Sequence, residues 1–198
     1  MSVCCLVLVV KSLSWDPFGI TINGIAVRKL RVTQQASLSV LQVKNMQKTL
    51  VLLKPDCIER RLIGEIIGRF ESKGLNIVAM KMLRVTPALS KQHYAEHVSK
   101  PFYPNLEAFI TSSPIVAMAL EGLEVIRVVR EMLGATNGLK AAPGTIRGDF
   151  SSSRQMNLVH ASDSEESAAR ELALYFQPTE LCEYTPTLVG SFRASDET

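Results

Sequence analysis

The stretch TLVLLKPDCIERRLIGEIIGRFESKGLNIVAMKMLRV, residues 49–85, decides the fold. Thr49–Leu53 is a short apolar run stopped by Lys54, Pro55 and Asp56, and its length and polar end predict a buried strand. Ile63, Ile66, Ile67 and Phe70 fall at i, i+3, i+4 and i+7, which puts four apolar side chains on one face of a helix. Gly74 stands just past that pattern, where a left-handed C-cap favours a residue without a Cβ. Leu75–Val85 is apolar and β-branched with no helical stripe, so a second strand follows.

The remaining punctuation extends this strand–helix–strand unit. Thr86 and Pro87 give a hydroxyl cap and a first-turn proline to a helix expected to carry His93, Tyr94 and His97. Pro114–Leu120 reads as a third strand. Val125, Ile126, Val129, Met132 and Leu133 mark another helix, closed by Gly134. Asn157–Ala161 reads as a short fourth strand, and Ser162, Asp163 and Ser164 offer caps to a last helix with Ala168, Leu172 and Phe176 inward. The order predicts an α+β fold on the β-α-β-β-α-β plan: a ferredoxin-like α/β sandwich, its four-stranded antiparallel sheet flanked by helices.

Outward from this domain the composition shifts. The net charge of +3 is concentrated in residues 1–46, which hold Lys11, Arg28, Lys29, Arg31 and Lys44 against the single acid Asp16. That leaves 17 of the 22 basic and 18 of the 19 acidic residues for the remainder, a near-neutral domain with no bulk attraction for nucleic acid. Three readings compete for residues 1–45: an over-read frame ahead of a true start at Met46, a disordered appendage, or an organelle transit segment. The division expected is an extension over 1–46, one domain over 47–186 and a tail over 187–198. The run Val3–Val10 is too short to span a bilayer, so no membrane partner is expected. Cys4, Cys5, Cys57 and Cys182 form no Cys-x-x-Cys pair, which fits a reducing, cytoplasmic setting and gives no structural zinc site.

The sequence has neither a G-x-x-x-x-G-K-[ST] loop nor a G-x-G-x-x-G after a strand. Any triphosphate must then be held by discrete lysine and arginine side chains. His93 and His97, four apart on the expected helix, share a face that is either a metal pair or a partly exposed surface; no third ligand follows, and no protein-held metal is expected. His160 ends the fourth strand, and Glu171 lies far enough into the next helix to reach back to it. A nucleophilic imidazole needs one bare nitrogen and a partner for the other. Spacing alone leaves His160 open between that role and a structural one.

Seven segments carry a closer likeness: Thr49–Asp56, Ile63–Ile67, Tyr94–His97, Lys100–Phe102, Gly134–Asn137, Pro143–Phe150 and Asn157–Ser164. Through them, from Gln47 to Pro186, the chain resembles nucleoside diphosphate kinases without insertion or deletion. The resemblance implies transfer of the γ-phosphate of ATP to nucleoside diphosphates by a ping-pong route through a phosphohistidine at His160, maintaining (deoxy)nucleoside triphosphate pools. It implies Lys54, Arg130, Thr136 and Arg147 as phosphate contacts, Asn157 as a sugar- and phosphate-region contact, and Phe102 as the base-stacking ring. Tyr94, Ser162 and Glu171 would support or orient the histidine. It further implies Mg²⁺ bound mainly through the nucleotide phosphates, and a homo-oligomer, tetramer or hexamer, with the tail from Phe176 to Leu181 resembling hexameric members. The alternative is a catalytically weak binding module of the same fold.

Two positions depart from the family pattern. Ala161 stands where glycine usually follows the active histidine, and a positive φ there would cost about 1 kcal/mol or more. Gly138 stands where proline is common, which is expected to loosen its loop.

Overall fold

The computed structural model describes residues 46–186 and 189–192. The expectations for residues 1–45, and for the tail apart from 189–192, lie outside the described residues. Strand β1 spans Met46–Leu53, followed by helices α1 (Pro55–Glu59) and α2 (Ile63–Ser72), strand β2 (Asn76–Leu83), helices α3 (Pro87–His93) and α4 (Tyr103–Ile110), and strand β3 (Ile115–Leu123). Then come α5 (Val125–Leu133), α6 (Ile146–Phe150), strand β4 (Val159–Ala161), α7 (Glu165–Tyr175) and a short α8 (Val189–Phe192). The strands form one sheet in the order β2-β3-β1-β4, antiparallel at every pairing. Since β3 lies between β1 and β2, the first two strands form a split β-α-β unit, as the element order predicted.

Residue alternation on β1 assigns the two faces. Val51 and Leu53 turn toward Phe70 of α2 and Val129 and Leu133 of α5, while Leu50 and Leu52 turn toward Tyr103 and Ile110 of α4 and Tyr175 of α7. All four β1 residues are fully buried. A strand covered on both faces has no use for a polar alternation, which is why 49–53 reads as a continuous apolar run. Strand β3 does the same with Val116, Met118 and Leu120 on one face and Ile115, Ala117 and Ala119 on the other.

Caps behave as the sequence demands. Thr86 accepts a hydrogen bond from the Leu89 N–H and starts α3, Ser164 accepts from Ser167 and starts α7, and Gly74 adopts φ +80° after α2. Among the described residues, no helix is long and apolar enough to cross a membrane.

Candidate active site

The site is built where the end of β1 meets the start of β4. The fourth strand is shorter than expected, because Leu158 takes φ +69° and breaks the extended run between Asn157 and Val159. A left-handed conformation costs a branched side chain on the order of 1–3 kcal/mol, so its surroundings must enforce it. They do so from the β1 end: the Lys54 N–H donates to the Leu158 carbonyl at 2.8 Å, and the Leu158 N–H donates to Asp56 Oδ2 at 3.0 Å. This stitch brings Lys54 beside Asn157, with Nζ donating to Oδ1 at 2.6 Å.

His160 lies on β4 opposite Leu52. Its neighbours Val159 and Ala161 enter the apolar face under α2 and α5, so its own ring projects to the opposite face, with 23% of the side chain exposed. There Glu171 of α7 reaches back, and His160 Nε2 lies 3.0 Å from Glu171 Oε2. The Ser162 hydroxyl donates to that same oxygen at 2.7 Å, and Arg170 stands 3.5 Å from the other. Burial pushes the Glu171 carboxyl up, but the hydrogen bond and charge of His160, together with Ser162, outweigh it and hold the group down at about 2. An ionised carboxylate only accepts, so Nε2 carries the proton and Nδ1 is left with the lone pair.

The cations are graded in burial. Arg147, positioned by the Thr145 cap of α6, is buried and donates Nε to the Asn157 carbonyl, Nη1 to Gly134 and Nη2 to Val159. Burial, then the charge of Arg130, lowers its pKa to about 10. Lys54 is brought down to about 8 by burial and by Arg147, with Asp56 opposing. Arg130, in the last turn of α5, is exposed, as is Thr136, whose carbonyl accepts from Asn157 Nδ2 at 2.7 Å. Phe102 caps α4, 52% exposed, its ring tilted against His97 at 5.6 Å.

Several sequence expectations change. The helix thought to carry His93, Tyr94 and His97 ends at His93, because Tyr94 leaves the helical region (φ −100°, ψ 31°) and buries its ring. His97 falls in a separate 3₁₀ turn over Ala95–His97 and is exposed, so the shared face of the two histidines does not form. His93 is instead buried, packed edge-on against His160 with ring centroids 4.6 Å apart. Sequence reasoning missed it as a site residue, since nothing in its spacing announces a contact 67 positions away. Tyr94 lies 6.3 Å from His160 and reaches it through the intervening His93 ring, 4.4 Å from its own. Asp56, the anchor of Leu158, was missed too. Ala161 carries no positive φ; it pairs with Val51 in the strand and packs its methyl into the core, and the left-handed residue is Leu158. Gly138 does not loosen its loop: its N–H donates to the Ser153 carbonyl at 3.0 Å, and a Cβ there would run into the Ser151 backbone.

The arrangement is an imidazole whose Nε2 is tied to a fixed carboxylate and which is flanked by graded cations; in its neutral form the other nitrogen is bare, which suits attack on a phosphorus. Residues 47–181 match the family model described as nucleoside diphosphate kinase. A nucleoside diphosphate kinase of Rhodopirellula baltica is 76% identical over 152 residues, which is 77% of this chain and 100% of that protein. One from Heliobacterium modesticaldum is 53% identical over 145 residues, 73% of this chain and 97% of its own. Among solved structures, a halophilic nucleoside diphosphate kinase from Halobacterium salinarum in complex with CDP superposes with a TM-score of 0.73 at 44% identity. That match covers 74% of this chain and 98% of the other.

Proposed function

The chain belongs to the nucleoside diphosphate kinase family, and from that premise we propose that His160 is the nucleophile of its phosphotransfer. The function is that of the family: a phosphotransferase that passes the terminal phosphate of a nucleoside triphosphate to a nucleoside diphosphate. The observation that carries the assignment of His160 is its hydrogen bond to Glu171, 3.0 Å long, which fixes the ring and leaves Nδ1 bare.

In the forward step the Nδ1 lone pair forms the N–P bond as the bond from phosphorus to the bridging oxygen breaks, and the nucleoside diphosphate departs. Positive charge then develops on the ring, and the Glu171 carboxylate, already ionised and in place, stabilises it without reorganisation. A second diphosphate enters the same site and the step reverses. Lys54, Arg130 and Arg147 draw charge from the β- and γ-phosphates, with Thr136 and Asn157 completing the phosphate and sugar contacts. Three donors of Arg147 are spent on carbonyls, which leaves one N–H on each terminal nitrogen for a phosphate oxygen. Ser162 holds Glu171, and Tyr94 acts through His93. The base stacks on Phe102, and stacking accepts any base because every base has a π-face.

The residues fit a Mg²⁺ held by the nucleotide rather than by the protein. The groups placed for phosphate are cations and amides, and Glu171 is already engaged by His160 and Ser162. Such an ion would neutralise phosphate charge, its oxygens coming from phosphates and water. The donor is ATP and the setting the cytoplasm. A homo-oligomer, tetramer or hexamer, is supported by Met80 and Met82, more than half exposed on the outermost strand β2.

The test is incubation with γ-labelled ATP and Mg²⁺. Acid-labile, alkali-stable label is expected on the wild-type chain and absent from His160→Ala, with transfer to a second diphosphate falling by roughly 10⁴-fold or more. Full turnover in the variant would overturn the assignment.

A further inference from the structure

We propose that His93, His160 and Glu171 form a chelating site for a zinc-class divalent ion, and that filling it silences the nucleophile; the second half rests on the role proposed for His160. The three residues come from α3, β4 and α7, and each presents one ligand atom, all within 4.8 Å of one another. One edge is nearly closed already, with His160 Nε2 and Glu171 Oε2 3.0 Å apart. Tetrahedral zinc with bonds of about 2.0–2.2 Å sets its donors about 3.4 Å apart, so the site closes only if His93 draws in from a separation of up to 4.8 Å.

His93 is the independent sign of a ligand. It is 4% exposed, yet neither ring nitrogen has a hydrogen-bond partner. A buried polar atom left in that state opposes folding, and a metal bond removes that cost for the nitrogen it engages. Two imidazoles and a carboxylate are the His₂Glu donor set of open zinc sites, with a fourth position left for water. The supporting shell is present as well: Ser162 Oγ holds the ligating carboxylate oxygen, and Arg170 stands by its partner. Mg²⁺, a hard ion that sheds water reluctantly and prefers oxygen, does not compete for two imidazoles.

Silencing follows from proton placement. In the free enzyme the single ring proton of His160 sits on Nε2 and the lone pair on Nδ1. Zinc takes the Nε2 lone pair, so the proton moves to Nδ1, the nitrogen that must attack phosphorus. No proton is gained or lost; the ring changes tautomer and the nucleophile disappears. The phosphate-binding cations are untouched, so nucleotide still binds.

The experiment titrates the full chain, nucleotide-free and in excess Mg²⁺, with zinc chloride against a chromogenic zinc indicator. One zinc per protomer is expected, with affinity reduced at least roughly a hundredfold in His93→Leu and His93→Gln and unchanged in His97→Leu. Zinc-edge absorption on the wild-type chain, which needs no variant to fold, should count two imidazoles. Labelling of His160 by γ-labelled ATP should be suppressed by zinc, restored by a zinc-selective chelator, and insensitive to zinc in His93→Gln. No zinc uptake by the wild-type chain, an absorption spectrum without imidazole, or equal uptake by the folded His93 variants would each overturn the proposal. Zinc-free labelling with no zinc uptake sinks the chelate alone; zinc uptake with no phosphohistidine under any condition sinks the nucleophile alone.

Discussion

The two faces of the sheet share their strands and differ in everything else. Under α2 and α5 the packing is dry: Val51, Leu53, Phe70, Met118, Leu120 and Leu133 meet one another at 2% exposure or less. Under α3, α4 and α7 the same strands offer Leu50, Leu52, Ala117 and Ala119, but what covers them mixes Ile110 and Phe176 with the tyrosines Tyr94, Tyr103 and Tyr175. Both nitrogens of His93 and the hydroxyls of Tyr94 and Tyr175 are buried there without partners. Polar groups buried without partners oppose folding, so the second face gives up stability that the first supplies. One side of β1 holds the molecule together and the other faces the ring proposed as nucleophile.

The largest effect belongs to the dry face. Phe70→Ala removes a fully buried ring and is expected to cost about 3–5 kcal/mol in denaturant unfolding, with turnover per folded molecule unchanged. A cost below about 1 kcal/mol would mean that this face is not where the stability resides.

Acid comes next. The Glu171 carboxyl falls from 4.5 unfolded to about 2 folded, so its contribution is complete above 4.5 and is lost as pH drops from there through 2. By linkage that is on the order of 3 kcal/mol. Asp56, whose carboxyl burial pushes up, changes stability with the opposite sign, so the useful quantity is the difference between wild type and Glu171→Gln. Unfolding series at pH 7, 4 and 3 should converge for the two proteins as pH falls; parallel curves would sink the assignment of that acid sensitivity to Glu171.

The smallest effect is the sharpest comparison. Tyr175→Phe deletes a hydroxyl that is buried and has no partner, so stability should be unchanged or raised by up to about 1 kcal/mol. A clear loss would show that the hydroxyl is satisfied after all, and the two faces would then differ less than the geometry says.

Legibility in the sequence followed the same divide. The dry face was readable: the apolar run over 49–53, the helical stripe from Ile63 to Phe70 and the Gly74 cap all express local rules, and each stands where the spacing put it. So did Glu171, because a helix following a strand returns to it at a fixed distance. His93 was unreadable because its helix ends at it, a boundary set by the burial of Tyr94 and not by any cap residue. The positive φ considered for Ala161 falls three positions earlier, at Leu158, where tertiary hydrogen bonds with Lys54 and Asp56 fix it. Gly138 misled for a related reason: glycine permits looseness, but also closeness, and the Ser151 backbone occupies the space a side chain would need.

Arg147 draws the carbonyls of Gly134, Asn157 and Val159 onto one guanidinium, so the long excursion between α5 and β4 is cross-braced by a cation rather than by grease. Such a brace is under electrostatic tension when empty, because its charge is buried beside two other cations and answered only by dipoles. The phosphate contact proposed for Arg147 would relieve that tension at the point where three chain segments cross, and filling the site would then tighten the excursion as a whole.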